Sequence, residues 1–145
     1  MKHLIFAAAL VFSMPAHAED MITYTTDQSF DDVVFGIENA IIDQGLLVES
    51  VSRVGEMLER TRADVGSDIV LFEAAEVFSF CSAALSRKVM EADVMNIRFC
   101  PYDIFVMQLP DSGNVTIGYR SFPMGAMQEV QALLDTIAKA AIGVE

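Results

Sequence analysis

The sequence predicts an α+β domain, a mixed β-sheet packed by helices on one main face. Three observations predict it. Short β-rich runs alternate with segments of helical periodicity, in the order β-α-β-α-β-α-β-β-α. The turn Pro110-Asp111-Ser112-Gly113-Asn114 joins the last two strands without room for a helix, so they form a hairpin. The first, second and fifth strands alternate polar with apolar residues, as in a sheet with one wet face. A chain of 145 residues without repeats, low-complexity tracts or Pro/Ser-rich linkers suits one domain.

Ahead of that domain stands MKHLIFAAALVFSMPAHAED. Lys2 and His3 are followed by an apolar run from Leu4 to Met14, then by Pro15 and the small-residue pattern Ala16-His17-Ala18. This three-part pattern predicts a secretory signal peptide, residues 1–18, cleaved after Ala18. The 11-residue run is short of the roughly 20 that a membrane span needs. The expected product is residues 19–145, a soluble periplasmic domain with no stable membrane insertion.

The elements follow in order. Met21 to Thr26 (MITYTT) is a first strand of alternating β-formers. Ser29 caps a helix whose first turn carries Asp31 and Asp32, favourable at its positive end. Phe30, Val33, Val34, Ile37, Ala40 and Ile41 give its apolar face, and Gly45 closes it. Gly36 costs that helix about 1 kcal/mol against alanine, which signals either close packing there or nothing more. Leu46 to Val54 is a second strand, and Gly55 to Val65 a short charged helix with Glu56 and Arg60 one turn apart. Arg53, Arg60 and Arg62 interleave with Glu56, Glu59 and Asp64, a solvated salt-bridged face. Val77 to Cys81 feeds a central strand, and Ser82 to Asp93 is a helix with Ala84, Leu85, Val89 and Met90 on one stripe. Phe99 to Leu109 is a strand interrupted early by Pro101, and Val115 to Arg120 its hairpin partner. Ala126 to Ile142 is the closing helix.

Charge and histidine content exclude whole classes of function. Cleavage after Ala18 removes one charged residue, Lys2, so the formal charge moves from −12 to −13. Such an acidic surface repels nucleic acid and anionic lipid. Both histidines, His3 and His17, leave with the signal peptide. The remaining chain cannot build a Ser-His-Asp or Cys-His pair, nor offer imidazole to a metal.

Cys81 and Cys100 are the only cysteines, with 18 residues between them. Outside the cytoplasm such a pair favours an intramolecular disulfide, worth about 3 kcal/mol by chain entropy. Two other readings stay open: thiols serving a binding site, and a redox pair with Cys81 activated at a helix start. A Cu(I) variant would draw on Met90, Met95 or Met107, although methionines at apolar positions are ordinary core filler. No metal or other cofactor is assigned. Geometry decides among these readings. Parallel strands joined by a crossover helix would put the cysteines at opposite ends of the sheet. Only a returning segment over Val94 to Phe99 brings them together. Arg87, Arg98, Tyr102 and Asp103 are candidates to rim a pocket beside them. Glu73 with Glu76 and Asp31 with Asp32 are the close carboxylate pairs, read as a polar loop and a helix cap.

These stretches carry a resemblance. "FCSAALS", then "FCPYDIFVM", with the early "SFDDVVFGIENAIIDQG" and the closing "MQEVQALLDTI", resemble the domain of unknown function 302 family over roughly Thr25 to Ile142. The resemblance implies a small α+β domain, often exported, with no agreed activity, substrate or cofactor. That family's pattern has asparagine and proline after its first cysteine and proline before its second. Here Ser82 and Ala83 follow Cys81, and Pro101 follows Cys100. The expected function is a ligand-binding or envelope-maintenance module rather than an enzyme, its partner an unknown small ligand or envelope protein.

Overall fold

Five β-forming runs pair into one sheet in the computed structural model, which describes residues 20–144. They are β1 (Met21–Thr26), β2 (Val48–Ser52), β3 (Ala74–Phe80), β4 (Tyr102–Gln108) and β5 (Val115–Arg120). Their order across the sheet is β1-β5-β4-β3-β2, and every neighbouring pair is antiparallel. The expected mixed sheet is therefore antiparallel throughout. The segment expected to be a signal peptide, residues 1–18, and with it both histidines lie outside the described residues.

The helices are α1 (Phe30–Asp43), α2 (Val54–Thr61), α3 (Ala83–Ala92) and α4 (Gln128–Ala141). Element order is as the sequence predicts; the differences lie at element ends. Residues Val94–Phe99 form a 3-10 turn, and β4 begins only at Tyr102. Pro101 has no N–H to give a ladder, and Asp93 accepts from the Met95 N–H at 2.9 Å to start the turn instead. The helix α2 stops at Thr61, and Gly66 follows with a positive φ of 71°. Residues 69–72, apolar as they are, join no strand.

Strand alternation decides which face is covered. Phe78, Phe80, Ile104, Val106, Ile117 and Tyr119 point to one side and are buried. Val33, Ile37 and Ile41 of α1, with Val130, Leu134 and Ile137 of α4, pack onto that side in one core. The two helices approach so closely that a Cβ on Gly36 would lie 2.2 Å from the Ala141 carbonyl oxygen. The glycine that the periodicity singles out is thus an inter-helix contact, and its propensity cost is offset by that packing.

A polar clamp fixes α4 across the first and fifth strands. Asp135 accepts hydrogen bonds from the hydroxyls of Tyr24 on β1 and Tyr119 on β5, the latter at 2.7 Å. Lys139 pairs with the same carboxylate at 3.1 Å, one helical turn on. Burial alone would raise the Asp135 pKa, but the hydrogen bonds from both tyrosines and Lys139 outweigh it and hold the carboxyl below its ordinary range. The same bond and partial burial raise Tyr24.

Two outcomes follow from these contacts. Gly36→Ala should lose about 1–3 kcal/mol in urea unfolding despite alanine's better helix propensity, because the clash is with backbone. Wild-type stability would show that α1 and α4 do not meet there. A folded pKa below the unfolded value of about 3.9 means that the Asp135 contribution is present above that pH and is lost as pH falls through the folded pKa. Asp135→Asn should therefore cost about 1 kcal/mol at pH 7, the carboxylate being partly solvated, and flatten acid unfolding below about pH 4.

Candidate functional site

The site lies where β3 ends and β4 begins. Phe80 pairs with Tyr102 across the two antiparallel strands; Cys81 follows the one and Cys100 precedes the other by two residues, so both lie at this end. From Cys81 the chain runs out along α3 and comes back through the 3-10 turn. The returning segment brings the two cysteines together, which answers the geometric question that periodicity leaves open. Both are free thiols and half-buried. The two are near enough that a charge on Cys100 would raise the Cys81 pKa.

Each neighbour has a local cause. Ser82 caps α3 by accepting from the Leu85 N–H at 3.3 Å, so Cys81 sits one residue before the cap. One turn into the helix, the Ser86 hydroxyl lies 3.0 Å from the Tyr102 hydroxyl and 3.6 Å from the Cys100 sulfur. The Cys100 N–H donates to the Ile97 carbonyl at 3.1 Å, which ends the 3-10 turn, and a cis peptide leads into Pro101. Beneath the thiols, Tyr102 meets Phe80 and Phe122 edge-to-face, at 6.5 and 6.4 Å between ring centroids. Phe99 continues the row against Phe122 at 5.5 Å.

This environment favours protonated groups. Burial pushes the Cys81 thiol up to about 11, and the nearby Cys100 and Glu49 charges add to it. The Tyr102 backbone N–H, donating to the Cys81 sulfur, opposes that rise without cancelling it. Burial likewise takes Tyr102 up to about 12, against the lowering hydrogen bond with Ser86. A thiolate favoured by the helix start, one of the sequence expectations, is not what the structure supplies. Cys81 stands one residue before the Ser82 cap, and there burial outweighs any pull of the helix start.

The four predicted rim residues are not brought together. Tyr102 is 1% exposed and belongs to the core beneath the thiols. Asp103, its neighbour on β4, points to the opposite face and accepts from the Ser79 hydroxyl at 2.6 Å. Arg87 is exposed and pairs with Glu91 at 2.8 Å, while the Arg98 guanidinium lies over the Phe99 ring at 4.5 Å. Met107 is near the far end of β4, with Ala75 as its register partner, and Met95 is exposed. Among the described residues no group of three or more His, Cys, Asp or Glu has the arrangement of a metal site. The residue that sequence reasoning missed is Ser86. Its position four residues after the Ser82 cap, on the stripe with Leu85, Val89 and Met90, was the available signal.

With the geometry in place, comparison with known proteins fixes the lineage. The family profile "Domain of unknown function DUF302" matches residues 22–142. The chain belongs to the DUF302 family. No curated protein matches it. A crystal structure of an uncharacterized conserved DUF302 protein from Bacillus stearothermophilus superposes with a TM-score of 0.61 at 17% identity, covering 85% of this chain and 95% of that one. At that identity the likeness is one of fold. The DUF302 fold thus supplies the scaffold, and the chemistry has to be read from this chain's own residues.

For the reduced protein the raised Cys81 pKa has a measurable signature. Thiolate absorbance near 240 nm should show Cys81 ionising near pH 11, far above the ordinary thiol value of about 8.5. The folded state holds this proton more tightly than the unfolded chain does. Its contribution is present below about pH 8.5 and lost as pH rises toward 11. A Cys81 thiolate at pH 7–8 would contradict the buried environment.

Proposed function

We propose that this DUF302 protein is an exported, non-catalytic envelope module whose Cys81 and Cys100 join as a disulfide in the oxidising compartment. One observation carries the reading: the antiparallel β3–β4 pair and the returning 3-10 turn bring the two half-buried cysteines to the same end of the sheet. The sequence pattern of residues 1–18 supports export to the periplasm, and disulfides persist there. Closure is a two-electron oxidation. The two thiols lose two protons and two electrons to a disulfide oxidant, which leaves as a dithiol.

The competing use of the same residues is thiol redox exchange or Cu(I) binding. Both work through thiolates, and a Cys81 pKa near 11 leaves only about one Cys81 in ten thousand ionised at pH 7. A bridge formed once during maturation, with an oxidant to drive it, suits these residues better than repeated turnover. Among the described residues no helix is long and apolar enough to cross a membrane, in keeping with action free of the bilayer.

Alkylation and mass analysis of the protein isolated from its exporting cell, without reductant, test the bridge. The expected species carries no adduct until it is unfolded and reduced, after which both cysteines react. Two freely alkylated thiols would overturn the reading. In the oxidised protein Cys100→Ser should cost about 3 kcal/mol of unfolding free energy, as expected for a loop of this length.

A further inference from the structure

Away from the thiols, at the other end of β3, two clefts open side by side. One, of about 380 Å³, lies between α2 and the segment that follows it. Its walls are largely apolar, with Met57, Leu58, Val65, Ile69 and Leu71 among them. The other, of about 470 Å³, is walled by Asp31, Glu56, Glu59, Glu73 and Glu76, with Arg53 the one basic residue. Gly55, Glu59 and Phe72 line both, so the two adjoin. Gly55 allows this arrangement, because a Cβ there would lie 2.7 Å from the Ala75 backbone nitrogen and push α2 off the strand.

The charges in the acidic cleft are not balanced from within. Arg53 pairs with Glu76 at 3.5 Å, and Arg62 with Glu59 at 3.0 Å. Among the described residues Asp31, Glu56 and Glu73 form no ion pair, so the expected Glu56–Arg60 pair is not made. Three uncompensated carboxylates thus face one cleft while its neighbour is apolar. Val65, Ile69 and Leu71 are 75, 67 and 51% exposed, apolar area that none of the described residues covers.

We propose that the adjoining clefts together bind a small amphiphilic cation, an organic ammonium carrying an apolar chain. The ammonium lies among Asp31, Glu56 and Glu73, and the chain lies along Ile69 and Leu71 toward Met57. Each cleft has the volume usual for a small-molecule site. Charge complementarity selects a cation over an anion, and the apolar cleft selects a chain over a bare ion. The site is independent of the thiol pair and stands whether or not the cysteines are bridged.

Calorimetric titration at low ionic strength with octylammonium, methylammonium and octyl sulfate tests both halves of the claim. Octylammonium should bind at least about tenfold more tightly than either comparator, and weaken as salt rises. Glu56→Gln with Glu73→Gln should reduce that affinity at least about fivefold, and Leu71→Asn should do likewise while sparing the salt dependence. All three residues are exposed, so the variants should keep wild-type circular dichroism and melting. Equal binding of octyl sulfate, no saturable octylammonium binding, or variants that bind as wild type would each overturn the proposal. So would binding of a short oligolysine peptide without octylammonium binding, which would assign the acidic cleft to a polycation.

Discussion

The antiparallel pairing of β3 with β4 is the constraint on which the rest of this molecule depends. It places Phe80 opposite Tyr102 and Phe78 opposite Ile104, four side chains essentially sealed from water at the centre of the core. Two strands that are consecutive along the sheet and antiparallel must start and finish at the same end. Everything between them therefore has to leave and return at that end, and α3 with the 3-10 turn does so. The meeting of Cys81 and Cys100 is a consequence of strand direction.

The covered face is held by contacts of two kinds, which act on different parts of α4. Near its C-terminal end, Gly36 lets the α1 backbone approach the Ala141 carbonyl, so the contact is steric and insensitive to pH. In its middle, Asp135 gathers Tyr24, Tyr119 and Lys139, a contact that depends on charge and reaches the edge strand β1. An edge strand has one ladder partner only, and β1 pairs with β5 alone. The Tyr24–Asp135 bond gives it a second attachment, through a side chain rather than the backbone.

Much of this was legible in the residues. The strand-helix order, the Ser29 and Ser82 caps and the hairpin turn all follow from local chemistry, and local chemistry is what one sequence displays. Strand direction was not legible, because period-2 alternation is the same for parallel and antiparallel neighbours. Nor was the face on which Tyr102 and Asp103 lie, since one residue of register exchanges them. The proposed rim failed for that reason: it joined residues close along the chain that the pleat sends to opposite sides. Ile69 to Phe72 shows a different limit of local chemistry. A run of four apolar residues looks like a strand, yet here it stays outside the sheet, and three of the four are exposed.

The thiol pair and the amphiphilic cleft lie at the two ends of one strand. β3 begins at Ala74, in the wall of the acidic cleft, and ends at Phe80, beside Cys81. Seven residues at about 3.3 Å each separate them by roughly 20 Å of extended chain. That strand is paired on both edges, with Phe78 and Phe80 locked in the core. A change of oxidation state at Cys81 therefore has no loose element through which to reach Glu73 or Glu56. A bridge there stiffens the closed end of the sheet and leaves the other end as it was. The two proposed roles are thus separable: a bridge would act on the closed end of the sheet, and ligand binding in the cleft would not depend on it.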